Sequence, residues 1–385
     1  MYKQNILKIN KLTVLHINLS LGGIGRYGAL FGKGLSSIND HNLISIYNNH
    51  LFHTSDVEQE VKDTKYFKVN FNTKWLKLKS IIKIIGIIRK NRPGIIHDSA
   101  GTTMSIGLIL WPIFYYYSRL IITIHDPIPH SGMGYRWKDK LIRLCAYKLF
   151  SVKLFVHGNT CKKYLMSFNV DSHKINIIKH GHLYYFNKNK YNKIKRKNNY
   201  ILFFGALRPN KGLELLTQIA DIVNKNSLKA NFVVAGSKNM ASEIMKSNWP
   251  RKLSNILIDM KGRADFEVHD KFIDDEEVEY FFKLCGITLL PYKDATQSGV
   301  VMIAMPFGSV VISTNRGDIP EVVRKNKTGF ICEYNAAELA NCIIELLKNE
   351  NKMNKIRDNA KKEAFNFYSW ELIAQDSIYY YEILF

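Results

Sequence analysis

The stretch from Ile287 to Glu321 constrains this chain more than any other. Ile287–Leu290 is a short apolar run, the kind a parallel strand buried on both faces requires. Pro291 ends the run because it has no amide to give to a ladder. Asp294 to Gly299 then reads as a polar turn. Ser298-Gly299 opens a short apolar helix, Val300 to Phe307, and Gly308 stands where a left-handed C-cap is needed. Val310 to Ser313 reads as the next buried strand. Strand, loop, helix and strand at this spacing make a βαβ unit. A helix N-terminus behind a glycine-containing loop at the carboxyl end of a strand presents unpaired amides to an anion. The same glycines also suit plain turns, and this stretch alone leaves both readings open.

Other strand–loop–helix passages follow the same plan. Thr13–Ile17 reads as a first strand, followed by a loop and helix in which Gly23, Gly25 and Gly28 form GxGxxG, with Asp40 downstream. Alone, that spacing suggests a dinucleotide site. Tyr200–Phe204 is a strand that runs into Gly205-Ala-Leu-Arg-Pro-Asn-Lys-Gly212. There Arg208 can make two parallel hydrogen bonds to a phosphate, and Lys211 adds a compact charge at the helix start. Leu120–Ile124 is the clearest strand of the first half. It delivers His125 and Asp126 to its carboxyl end, where open α/β sheets place ligands. Two further strands end in His157 and in His180-Gly181.

Leu43–Tyr47, Tyr66–Val69, Ile95–His97, Ala230–Gly236 and Ile256–Gly262 complete the expected strands. Asp274 or Asp275 caps the helix that follows Ile273. Lys74 to Arg92 is a basic, Ile-rich helix. It reads either as a core helix with one solvated face or, because Trp and Lys stand beside apolar residues, as a surface for an anionic interface.

The chain has 385 residues, enough for two domains of ordinary size. Its hydrophobic content of 46% and charged content of 23% are those of a soluble globular protein. No signal-peptide pattern opens it. The longest apolar stretch, Ile106–Tyr117, is too short to span a bilayer and contains Pro112. The five cysteines are scattered without a CxxC pair, which suits free thiols rather than a disulfide frame or zinc site. A formal net charge of +22 favours an acidic partner, whether nucleic acid, an anionic membrane or a phosphorylated substrate. No nucleic-acid-binding motif accompanies the charge, so a membrane face is the better reading and no nucleic-acid partner is expected.

Taken together, Asp-Ala-Thr-Gln-Ser-Gly-Val, the apolar helix to Phe-Gly, Gly-Asp-Ile-Pro-Glu, Lys-Thr-Gly-Phe-Ile and the Arg-Pro-Asn-Lys-Gly loop resemble the donor-binding half of glycosyltransferase family 4. The resemblance runs from about Gly22 to the end, and it is most specific over Phe203–Leu216 and Leu289–Phe330. It implies the GT-B architecture: an α/β chain of two facing Rossmann-like, doubly wound domains with a C-terminal helix crossing back to the first. The expected divisions are an acceptor-binding domain over 1–186, a basic linker over 187–199, a nucleotide-sugar-binding domain over 200–365 and the returning helix over 366–385.

Most members of that family carry a pair of glutamates in this region. Counting back from Gly308, this chain has Ile303 and, near the first position, Ala295.

The resemblance further implies a retaining transfer from a nucleotide-sugar to a glycan or lipid-linked glycan, with no cofactor beyond the donor and no metal. Catalytic roles fall to His125, Arg208, Lys211 and Asp294. The donor would be held by Gly23, Gly205, Arg208, Lys211, Ile273, Gln297, Ser298, Gly299 and Val300. The acceptor would meet Gly25, Arg26, His125 and Asp126. Bacterial surface polysaccharide assembly at the inner face of the plasma membrane is the expected setting. An NAD-dependent oxidoreductase and a non-catalytic basic protein binding nucleic acid or membrane are the alternatives.

Overall fold

The computed structural model describes residues 11–38, 41–53, 56–71, 73–100, 104–127, 137–238 and 247–384. Asp40, Pro129 and Gly132 lie outside the described residues. These residues divide into two units. One takes its residues from 11–127, 137–181 and 370–384, and the other is built from 182–369.

The first unit is a parallel sheet in the order β3-β2-β1-β4-β5-β6-β7. Its strands are β1 Thr13–Asn18, β2 Asn42–Asn48, β3 Tyr66–Val69, β4 Ile95–Asp98, β5 Arg119–Ile124, β6 Lys153–Val156 and β7 Ile175–Ile177. Its longer helices are α1 Gly22–Ser36, α3 Lys74–Asn91, α4 Met104–Tyr117, α5 Trp137–Phe150 and α6 Asn159–Ser167, with α2 Glu58–Val61 a single turn. Alternate strand residues divide between the two faces, as the period-two geometry of a strand requires. Leu15, Ile44, Ile96, Ile122 and Leu154 pack on one face with Ile84, Trp111, Phe114, Tyr147 and Leu165 from α3 to α6. The opposite face carries α1 and the last helix of the chain, Trp370–Leu384. That helix reaches the sheet through Tyr381, whose hydroxyl lies 2.6 Å from His97 Nδ1. Its start is fitted to Gly34, where a Cβ would come within 2.5 Å of the Trp370 carbonyl oxygen.

The second unit repeats the plan in the order β10-β9-β8-β11-β12-β13. The strands are β8 Lys197–Phe204, β9 Asn231–Ala235, β10 Phe266–His269, β11 Cys285–Leu290, β12 Val310–Thr314 and β13 Gly329–Cys332, paired in parallel throughout. The helices are α7 Leu216–Lys225, α8 Trp249–Lys261, α9 Asp275–Leu284, α10 Gly299–Phe307, α11 Ile319–Val322, α12 Ala336–Lys348 and α13 Glu350–Phe367, leaving Trp370–Leu384 as α14. The core of the unit joins Ile201, Phe203, Phe232, Ile287 and Ile312 to the inner faces of α7, α8 and α12.

The strand expected at Ile256–Gly262 is instead the end of α8. Leu253, Leu257 and Met260 are buried while Ile258 is 70% exposed, a helical rather than an alternating pattern. The strand follows at Phe266. β8 begins at Lys197, inside the basic stretch 187–199. Asp274 is the N-cap of α9, with Glu277 completing a capping box. Among the described residues, no helix is long and apolar enough to cross a membrane.

Both sheets reverse their winding once, between β1 and β4 in the first unit and between β8 and β11 in the second. In open α/β sheets, the carboxyl ends of the strands at such a reversal flank the ligand crevice.

Candidate functional site

In the second unit, the two loops at the reversal are locked to each other. After β8, Gly205 has φ +109°, in a region closed to most side chains, and its carbonyl oxygen lies where a Cβ on Gly236 would stand, 1.9 Å away. The chain then turns through Arg208 into a single 3₁₀ turn, Pro209–Lys211, which Gly212 ends at φ +70°. A Cβ on Gly212 would sit 1.8 Å from the Pro291 carbonyl oxygen, so the β8 loop and the β11 loop meet backbone to backbone. Asn210 fastens them: its Nδ2 donates to the Asp294 carbonyl at 3.1 Å, and its own carbonyl accepts from the Lys293 amide at 2.9 Å.

Charge and donor groups converge on this junction. Lys211 Nζ lies 3.7 Å from the Tyr292 ring centroid, a cation–π contact that holds the ammonium over the β11 loop. The Tyr292 hydroxyl is 3.3 Å from Ser298 Oγ. Ser298 is the N-cap of α10 yet makes no side-chain capping bond, so the first-turn amides of a nine-residue helix keep no side-chain acceptor. The notional Cβ of Gly205 lies 3.8 Å from Val300 Cγ2, which places the β8 loop beside the start of that helix. Arg208 Nε is buried without a hydrogen-bond partner. A buried guanidinium donor left unpaired is costly. It is satisfied if an anion enters beside the uncapped helix end, where the helix dipole also favours negative charge.

Around the junction, Glu214 pairs with Lys293 and accepts from the Tyr334 hydroxyl at 2.9 Å. Its pKa is lowered on balance: burial, the largest influence, opposes ionisation, and these two bonds together with backbone donation outweigh it. Ile273 is buried in the loop before α9, and Gln297 is half-buried just ahead of α10. Ala295 and Ile303 are both buried, and Ile303 is 6% exposed on the inward side of α10. The structure thus brings together Gly205, Arg208, Lys211, Asp294, Gln297, Ser298, Gly299 and Val300. Asn210 and Tyr292, which hold that set in place, were not anticipated. Their only signal was adjacency, Asn210 within Arg-Pro-Asn-Lys and Tyr292 after the strand-ending Pro291.

The first unit's site residues follow β1 and β5, and His125 reaches the β4 end through the Ser99 carbonyl. Gly23 is exposed with nothing within 4 Å of a notional Cβ, whereas a Cβ on Gly25 would lie 2.6 Å from the Ser20 carbonyl oxygen. Gly28 is filled against by Asn18, 1.9 Å from a notional Cβ, so Gly25 and Gly28 let α1 close onto the β1 loop. Arg26 is half-buried and Asp126 exposed. His125 is buried, with Nε2 2.9 Å from the Ser99 carbonyl oxygen and Nδ1 3.0 Å from His157 Nε2. Burial is the largest influence on His125 and lowers its pKa, while the Ser99 carbonyl and the Asp126 and Asp98 carboxylates raise it. Among the described residues, no group of three or more His, Cys, Asp or Glu side chains could hold a metal ion.

Comparison with known proteins places these features in a class. The fold is GT-B: the structure aligns with Anabaena Alr3699/HepE in complex with UDP-glucose at a TM-score of 0.75, with 14% identity, over 97% of this chain and 100% of that one. Residues 186–363, within the second unit, match the family model described as glycosyl transferases group 1.

Among curated proteins, an uncharacterized glycosyltransferase of Methanocaldococcus jannaschii, MJ1178, is 29% identical over 175 residues, 45% of this chain and 45% of that protein. A lipopolysaccharide 1,2-N-acetylglucosaminetransferase of Salmonella typhimurium is 23% identical over 185 residues, 46% of each. The chain spans about half the length of the curated relatives it matches.

Proposed function

We propose that the protein is a retaining glycosyltransferase that carries a sugar from a nucleotide-sugar to a glycan or lipid-linked glycan acceptor. The observation that carries this reading is the orphaned Arg208 Nε beside Lys211 and the uncapped start of α10. As the nucleoside diphosphate leaves, negative charge builds on its phosphates. Preorganised cationic and amide donors stabilise that charge without reorganising. Arg208 and Lys211 take this role, Gly205 and Gly299–Val300 let the phosphates approach backbone amides, and Gln297 and Ser298 line the same loop. Ile273 faces the base and Asp294 the donor sugar, while His125, Asp126, Gly25 and Arg26 serve the acceptor side, with Gly23 near the diphosphate. The leaving phosphate itself assists removal of the acceptor proton, so no further cofactor and no metal are required.

A thermal-shift series against UDP, GDP and their sugars tests the donor. Stabilisation by one nucleotide family, abolished in Arg208→Ala, is the expected result. Stabilisation by NAD with no response to any nucleotide-sugar would favour an oxidoreductase instead. Sugar transfer is expected to persist in excess chelator, and loss of activity restored by Mg²⁺ or Mn²⁺ would remove the metal-free assignment.

The acceptor reading, a lipid-linked glycan met at the inner face of the plasma membrane in surface polysaccharide assembly, rests on the first unit. On α3, Ile84 and Ile88 face the core, but Trp75, Leu78 and Ile82 are 64%, 50% and 61% exposed. Lys79 Nζ sits 5.2 Å from the Trp75 ring centroid. Ile109 and Tyr116 on α4 are also exposed, at 52% and 82%. Lysine beside exposed aromatic and aliphatic groups suits an anionic lipid surface, at about 1 kcal/mol for each basic side chain. The Salmonella relative, a lipopolysaccharide 1,2-N-acetylglucosaminetransferase, supports the same class of acceptor. Co-sedimentation with anionic but not neutral vesicles, weakened by salt and by Lys77→Glu with Lys79→Glu, is expected. Equal recovery in the supernatant with both vesicle types at low salt would overturn it.

A further inference from the structure

The first unit buries five histidines, His16, His97, His125, His157 and His180. Two of them have partners that suit a neutral ring. His16 lies 2.7 Å from Ser99 Oγ and 3.3 Å from Ser45 Oγ, and His97 lies 2.6 Å from the Tyr381 hydroxyl and 2.8 Å from Thr123 Oγ1. A hydroxyl donates or accepts as required, so one proton per ring satisfies every contact.

His125 and His157 are different. His125 Nε2 faces the Ser99 carbonyl oxygen at 2.9 Å, and His157 Nδ1 faces the Ile178 carbonyl oxygen at 2.9 Å. A carbonyl only accepts, so both outer nitrogens carry hydrogen. The inner nitrogens, His125 Nδ1 and His157 Nε2, then lie 3.0 Å apart. With one proton on each ring these would be two lone pairs in opposition. The observed contact needs a third proton.

We infer that His157 is a positioning residue for His125, and that the two rings hold one bridging proton between His157 Nε2 and His125 Nδ1, so that the pair carries one positive charge in its aligned state. When the proton leaves to solvent as pH rises, the lone pairs repel. One ring must then turn and release its carbonyl. The groups facing the pair are Asp98 at the end of β4, Asp126 after β5, Tyr27 on α1, Cys161 on α6 and His180 after β7. Burial, the largest influence, holds both rings below their ordinary value, and His180 also opposes the charge, while the carbonyl partners and the two carboxylates favour it. Tyr27 packs its ring 4.6 Å from His125 and 5.1 Å from His157, which confines both. This inference rests on the reading of His125 as an acceptor-side residue.

The first measurement needs no activity. Nitrogen-15 spectra of the imidazole nitrogens of the full-length protein across pH report how many protons the two rings hold. A shared third proton, lost from both rings at one common midpoint, is expected. Two singly protonated rings at every pH at which the protein stays folded would overturn the inference.

The second measurement is the pH profile of transfer with saturating donor. In the parent protein kcat is expected to fall as pH passes the common midpoint, with KM for the donor unchanged. His157→Gln supplies an amide donor to His125 Nδ1 that does not titrate, so it should keep the rate and lose that pH dependence, whereas His157→Phe should lose the rate. A parent profile flat through the midpoint, or a His157→Gln profile like the parent's, would overturn the positioning role. Should neither nucleotide-sugar binding nor transfer be detectable, the function proposed above fails by itself, and the spectra still decide the shared proton.

Discussion

The two sheets share a winding order, yet the carboxyl ends of their strands are furnished in opposite ways. In the second unit the reversal between β8 and β11 is lined by half-buried cationic groups and an uncapped helix start, with one guanidinium donor unpaired. In the first unit the same region is closed by buried histidines and by Tyr27, whose ring lies about equally far, 4.6 to 5.2 Å, from His125, His157, His180 and Trp370. One end keeps cationic donors, one of them unpaired. The other is a satisfied polar layer in which ring nitrogens, hydroxyls and carbonyls find each other. The scaffold sets where a ligand crevice lies, and only the side chains at the strand ends decide whether it attracts charge or excludes water.

The largest effect should come from the charged end. Arg208→Ala or Lys211→Ala is expected to lower the transfer rate roughly 10²- to 10³-fold, the usual cost of losing one preorganised donor. Neither change should alter the thermal unfolding midpoint of the free protein appreciably. Parent-like rates in both variants would erase the contrast between the two ends.

The histidine layer makes the first unit the acid-sensitive one. Burial drops His16 to about 3 and His180 to about 4, and it holds His97 well below its ordinary 6.5. The sign follows from proton counting. Below pH 6.5 the unfolded chain takes up protons that the folded chain refuses, so stability is lost as pH falls and is fully present above 6.5. At pH 5 each of His16 and His180 should cost about 2 kcal/mol. In the second unit, His182 and His269 are only half-buried. Hydrogen exchange at pH 5 should therefore open β1, β4 and β5 before β8 and β11. Simultaneous opening of both sheets would remove the distinction.

How much of this could be read from the residues also differs between the units. The second unit's loops are local in sequence: Gly205 to Gly212 and Pro291 to Gly299 each carry their own chemistry, and each lies directly after a strand. They were legible as a pair of strand-end loops that bring Arg208, Lys211 and the start of a helix together. The histidine layer was not. His125, His157 and His180 were recognisable as strand-end residues. The partners of His125 and His157, however, are distant in the chain and are set by register, as where His16 pairs across β1 and β4 with His97. No local pattern announces a contact between residues so far apart. Ile256–Gly262 was misread for a simpler reason: a short apolar run fits a strand or a helix face equally well, and only the burial of Leu253, Leu257 and Met260 separates them.

Glycine substitutions probe the comparison more finely. Gly212→Ala combines a left-handed backbone, φ +70°, with a Cβ 1.8 Å from the Pro291 carbonyl oxygen. The backbone alone costs about 1–2 kcal/mol. The clash forces the two donor loops apart, so nucleotide binding should weaken together with thermal stability.

The smallest effect should come from Gly23→Ala. Gly23 heads the GxGxxG of the first unit, and if that motif held a dinucleotide, a methyl group there would obstruct the pyrophosphate and abolish binding. In the structure Gly23 lies in the first turn of α1, exposed, with no atom within 4 Å of a notional Cβ and no positive φ. Alanine is the better helix former by about 1 kcal/mol in a helix interior and by less in a first turn. Gly23→Ala should therefore leave the fold unchanged or slightly more stable. Gly25→Ala, two residues on, would press a methyl to 2.6 Å from the Ser20 carbonyl oxygen and should destabilise. Thermal midpoints of the two variants, measured side by side, decide the matter. A loss of stability in Gly23→Ala equal to that in Gly25→Ala would mean that the motif is packed as a unit. A loss of nucleotide binding in Gly23→Ala without loss of stability would support the proposed place of Gly23 near the donor's diphosphate.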